Sequence, residues 1–155
     1  MGSANKLIKP VLHTACQAFI EQRIAAARSA MQAAQESSNS ETKSSAGDKY
    51  ETGREMANQE RDRNAAHMLQ AQQLQAELGR INPELPCDTV RPGALVQTSM
   101  GRFYISISAG KLTVEGADDY FAVSPAAPVA VALKGLRAGA EVQFNGQSVR
   151  VMAVE

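Results

Sequence analysis

Residues 40 to 55, SETKSSAGDKYETGRE, gather the side chains of this chain best suited to chemistry at a surface. They include the carboxylates of Glu41 and Asp48, the ammonium of Lys43, the hydroxyls of Ser44 and Ser45, and the conformationally free Gly47. The segment is polar and built of small residues, and it lies between two long stretches of helical periodicity. It is therefore expected at the tip of a helical hairpin, about residues 38–48, where it can stabilise no core and is best placed to touch a partner. Ordinary solvated turns are also rich in Ser and Gly, so composition alone leaves a plain turn open beside a binding tip. Asp48 has a local use as well. Its carboxylate can cap the amide of Glu51 while Glu51 reaches back, a capping-box spacing with Asp in place of Ser or Thr.

Elsewhere the reactive side chains are scattered. Cys16 and Cys87 are far apart, with no ligand-like spacing to His13 or His67, so they read as free thiols, one on a helix face and one in a linker. His13 and His67 read as solvent-edge helix residues, and Met31, Met56 and Met68 as packing side chains. The C-terminal segment has no histidine and no cysteine beyond the linker, and Asp118 and Asp119 follow Gly116 in an expected turn. No metal site and no independent enzyme are expected from such a set.

The elements that must carry the tip follow from periodicity. From Pro10, suited to a first helical turn, apolar residues recur at Leu12, Cys16, Ile20, Ile24, Ala27, Met31 and Ala34, one stripe on one face. Polar Ser37, Ser38, Asn39 and Ser40 are expected to end that helix. A second helix starting at Asp48 has its stripe at Tyr50, Ala57, Met68, Ala71, Leu74, Leu78 and Ile81, weak in the middle where Asn58 to Asn64 reads NQERDRN. The two predict an antiparallel coiled coil, best packed at its base, where Met68, Leu74 and Leu78 face Leu12, Cys16 and Ile20. A helix of about 28 residues reaches roughly 40 Å.

Pro83, Pro86 and Pro92 then interrupt the chain, and the period changes to two. Phe103, Ile105 and Ile107 alternate with Tyr104, Ser106 and Ser108, and Leu112 and Val114 follow across a turn at Ala109 and Gly110. Val142 and Phe144 lead into Asn145-Gly146, with Val149 and Val151 on the return strand of a hairpin. Ser124-Pro125 is expected to open a short helix that packs Val129 and Leu133 on the sheet and ends at Gly135. The predicted architecture is α+β: a helical hairpin over 1–81, a linker over 82–93, and a small sheet domain with one short helix over 94–155.

Composition narrows the partners. The 155 residues carry 16 Lys+Arg against 16 Asp+Glu. Residues before 82 hold 10 against 9 and the rest 6 against 7, so neither part has the basic excess that independent nucleic-acid binding requires. No apolar run approaches membrane-spanning length, and Lys6 and Lys9 are followed by Pro10, His13 and Gln17 rather than a signal-peptide core. A cytoplasmic chain with a protein partner is the expectation, its oligomeric state open.

A long helical hairpin followed by a strand-rich domain with one helix resembles the Gre transcript-cleavage factors, which enter the secondary channel of bacterial RNA polymerase. Tyr50, Arg54 and Glu55 in YETGRE resemble the Tyr-His-Ala-Ala-Arg-Glu of that family. Pro128, Ala130, Leu133 and Gly135, followed by Gly139 and Val142, resemble its Ser-Pro-x-Ala-x-x-Leu-x-Gly segment and the strand after it. The resemblance implies an FKBP-like second domain and bacterial RNA polymerase as partner. The contacts would come from a tip of Lys43, Ser44, Ser45, Gly47, Asp48, Tyr50 and Arg54, with the C-terminal domain on the channel rim. In the cleavage factors an Asp and a Glu, seven and four positions before the tyrosine, help to hold a magnesium ion. Counting back from Tyr50 gives Lys43 and Ala46, neither a magnesium ligand, and Lys43 repels the ion. The expectation is therefore a protein that modulates elongation or pausing without stimulating cleavage and without a cofactor. A shifted loop presenting Glu41 and Asp48 to magnesium is the alternative. Another is a coiled-coil assembly role that uses the alanine-rich face from Ala25 to Ala34. An FKBP-like shape also invites a prolyl-isomerase reading, but four Phe, three Tyr and no Trp are too few for the aromatic-lined pocket that activity needs.

Overall fold

The computed structural model describes residues 2–43, 47–114 and 119–155, with side chains for residues 8–36 and from 52 onward within those ranges. Two long helices come first, α1 over Gly2–Lys43 and α2 over Gly47–Gly79. At 42 and 33 residues they measure about 63 and 50 Å, well beyond the expected reach. α1 neither begins at Pro10 nor stops at Ser37. Pro10 lies inside it and removes one amide donor, and the hydroxyl of Thr14 donates back to the Pro10 carbonyl at 3.0 Å. The run Ser37 to Ser40 costs only a few tenths of a kcal/mol per residue relative to alanine, and with no Gly or Pro it does not break a helix already running. α2 is helical from Gly47, one residue ahead of the expected start.

Contacts divide the chain into two compact units, Ile20–Gln75 and Met1–Phe19 with Ala76–Glu155. Within the first, an Arg61 Nη donates to Gln35 Oε1 at 3.3 Å across 26 positions. One continuous helix would separate those residues by about 39 Å, so the helices fold back antiparallel. Ala27, Ala34, Ala57 and Ala71 are buried along their seam, with Ile24, Met31, Met68 and Leu74 half-buried. The polar middle of α2 keeps the spacing: Arg61 and Asn64 occupy half-buried positions between Ala57 and Met68.

The second unit contains a six-stranded mixed sheet in the order β3-β4-β2-β1-β6-β5. Its strands are β1 Leu95–Thr98, β2 Gly101–Ile105, β3 Gly110–Leu112, β4 Tyr120–Val123, β5 Glu141–Phe144 and β6 Gln147–Val154, and α3 spans Pro128–Leu133 between β4 and β5. β5 and β6 form the expected hairpin, with Asn145 and Gly146 both at positive φ (51° and 75°), the backbone a two-residue turn of matching twist requires. The strand expected to fold back on β2 does not. β3 pairs with β4, and β4 runs parallel to β2 and separates the two. β2 also lacks a solvent face. Phe103 and Ile105 join the core with Val96, Val149, Val151, Ala130 and Leu133, while Tyr104 on the other face is fully buried. The segment 82–93 contributes Cys87 and Val90 to that same core. The helix opens at Pro128 rather than Ser124-Pro125. Ser124 makes a turn first, its Oγ accepting from the Ala126 amide at 3.1 Å and its carbonyl from the Ala127 amide at 3.0 Å.

Candidate functional site

The expected tip residues fall at the two helix ends that the hairpin brings together. Glu41 and Lys43 belong to the last turn of α1, and Gly47, Asp48 and Tyr50 to the first turn of α2. Their side chains, with Ser44, Ser45 and Ala46 entirely, lie outside the described residues, as does the proposed Asp48 cap. Arg54, one turn further along α2, is exposed.

The C-terminal motif residues have structural places. Pro128 is the first residue of α3, where a missing amide donor costs nothing, and Ala130 and Leu133 on its inner face are 3% and 1% exposed in the sheet core. Gly135 follows at φ 79°, and its amide donates to the Val90 carbonyl at 2.8 Å while the Val90 amide donates to the Leu136 carbonyl at 2.9 Å. The motif thus ties α3 to the segment after α2.

Polar chemistry concentrates where the sequence reading expected least, between the first turns of α1 and the sheet. Lys9 is buried, and its Nζ donates to the carbonyls of Leu85 at 2.8 Å and Glu155 at 3.0 Å, with Cys87 Sγ 3.9 Å away. Burial holds the Lys9 pKa below its usual value, opposed by the nearby Cys87 and Glu155. One turn on, His13 is not a solvent-edge residue: it is buried, and its Nδ1 shares a hydrogen bond of 2.9 Å with the Tyr104 hydroxyl. Burial lowers the His13 pKa and strongly raises that of Tyr104, so both are neutral at pH 7. The next turn brings Cys16 Sγ to 3.8 Å from Ser106 Oγ, and burial raises its pKa, partly offset by that contact. Three residues at successive turns of one helix face thus meet polar partners: Lys9 two backbone carbonyls outside the strands, His13 the hydroxyl of Tyr104 in β2, and Cys16 that of Ser106 just past the end of β2. The signal was present as Lys9, His13 and Cys16 at spacings of four and three, but spacing on one helix face does not say which element will cover it. Both cysteines are free, and no cluster of metal-ligating residues occurs among the described residues. No described helix is long and apolar enough to cross a membrane.

No protein-family model matches the chain, and no curated protein matches it. Among solved structures, the crystal structure of GreA factor homolog 1 (Gfh1) of Thermus thermophilus is similar over 88% of this chain and 92% of that one, at 22% identity and a TM-score of 0.36.

Proposed function

We propose that the chain is a Gre-like protein that enters the secondary channel of RNA polymerase and modulates elongation or pausing without stimulating transcript cleavage. One observation carries the reading: a hairpin of two antiparallel helices, Gly2–Lys43 and Gly47–Gly79, precedes a sheet domain whose short helix is seated by Ala130, Leu133 and Gly135. That element order, with Tyr50, Arg54 and Glu55 just past the joint, is what the family resemblance requires. Helices of about 63 and 50 Å supply reach. Lys43 and Ala46 stand where two carboxylates would be needed to share one hard cation, so the tip contacts the enzyme and donates no metal ligand.

The competing reading keeps cleavage through Glu41 and Asp48. It draws support from the helix limits, which set Glu41 in the last turn of α1 and Asp48 in the first turn of α2, on either side of the short joint. Capture of polymerase from cell extract by the purified chain, compared with a variant lacking residues 43–48, tests the partnership. Retention by the intact chain and loss in the deletion are expected. Equal retention would remove the tip from the interface. The double substitution Lys43→Asp with Ala46→Glu is expected to confer cleavage stimulation if the register from Tyr50 holds.

A further inference from the structure

The segment after α2 arches over the end of β2 and leaves a cavity of about 460 Å³, inside the roughly 300–1,000 Å³ range of small-molecule sites. The sequence builds the arch. Pro83, Pro86 and Pro92 exclude regular structure, Asn82 Oδ1 accepts from the Glu84 amide at 3.0 Å to start a turn, and Gly93 at φ 94° lets the chain close against Ile81. A Cβ at position 93 would stand 3.3 Å from Ile81 Cγ2, so any larger residue pushes on the cavity wall.

Charge on the lining is uneven. Arg80 and Arg91 both line the cavity, with one carboxylate, Glu77, on the same lining. Neither guanidinium is within ion-pair distance of a carboxylate among the described residues. Arg91 is held in place by its Nε donating to Cys87 Sγ at 3.4 Å and an Nη donating to the Pro86 carbonyl at 3.2 Å, which leaves its other Nη donors unspent. Beside these cations the lining is apolar, through Ile81, Leu85 and Pro125, and Leu85 is 57% exposed, an unusual state for a leucine at a concave site. Two forked donors on a lining that also carries an apolar patch suit a ligand with one anionic end and one apolar end. On the lining itself two guanidiniums outnumber one carboxylate, Glu77, while the Asp88 carboxylate acts on Arg91 from outside it.

We propose that this cavity binds a small organic carboxylate, whose oxygens are received by Arg80 and Arg91 and whose apolar body covers Leu85 and Pro125. The site is independent of the hairpin tip and of any polymerase partnership. The test is a titration of the isotope-labelled full chain with sodium benzoate, followed by amide shifts at Gly93, Ser106 and Ala126, with methyl benzoate and phenyl phosphate as parallel arms. Saturable shifts confined to the cavity are expected with benzoate in the millimolar range, weaker with phenyl phosphate and absent with methyl benzoate. Arg80→Gln is the deciding variant, because residue 80 is exposed and the substitution leaves the core untouched. It is expected to weaken benzoate binding by about tenfold, as loss of a charge-assisted pair should. An absence of saturable shifts, equal binding of methyl benzoate, tighter binding of phenyl phosphate, or an unchanged affinity in Arg80→Gln would each overturn the proposal.

Discussion

At the scale of single residues, the His13 ring is the group most sensitive to its surroundings. Folded, it is buried and neutral and hydrogen-bonded to the Tyr104 hydroxyl; unfolded, it titrates near 6.5. Its folded pKa is depressed, so below 6.5 the unfolded chain binds the proton more readily and stability falls as pH drops through that window. Stability measured by denaturant titration is expected to lose up to about 1.4 kcal/mol per pH unit below 6.5 through this one proton, and His13→Gln is expected to remove that component. An identical pH profile for His13→Gln would mean that other groups carry the dependence. None of this was legible in the sequence. A lone histidine beside the apolar stripe of a helix reads as a solvent-edge residue, and only the crossing of α1 over β2 makes it a core residue.

At the scale of elements, the apolar stripes were largely readable. Each described residue named on them is buried or half-buried. Helix ends were not, because serine and asparagine weaken a helix without stopping it, and a proline can be carried inside one. The polar middle of α2 is the element's weak point. Asn64 Nδ2 is buried there without a hydrogen-bond partner, a donor stripped of water and given nothing in return. Asn64→Leu removes the orphan and improves helix propensity, and it is expected to stabilise the hairpin by about 1 kcal/mol in thermal or denaturant unfolding. A loss of stability would show that the amide is satisfied in solution. At the base of α2, Leu78 is 2% exposed, whereas Leu74 is only half-buried. Leu78→Ala is therefore expected to cost about 2–5 kcal/mol and clearly more than Leu74→Ala, and equal effects would contradict the packing described. Strand pairing was the least legible feature. Alternation marks a strand but not its neighbour, so nothing local announced that β4 would enter between β2 and β3.

At the scale of the whole molecule, the helical hairpin followed by a sheet domain was readable because the switch from a helical period to a period of two is a long-range signal spread over many residues. The division of contacts was not. The first turns of α1 belong with the sheet through His13 on Tyr104 and Cys16 beside Ser106, and an apolar stripe does not say which neighbour will cover it. The candidate tip was legible only as composition. Whether Lys43 and Ala46 replace a metal-binding pair is a question of activity on a partner, and the account commits to an answer. The direct measurement is transcript cleavage in a backtracked RNA polymerase complex, with binding followed in the same reaction by competition against a cleavage factor. The account predicts that the unmodified chain binds and displaces the competitor while leaving the transcript uncut. Robust cleavage by the unmodified chain, abolished by Glu41→Ala or Asp48→Ala, would contradict it, and a complete absence of binding would contradict both readings of the tip.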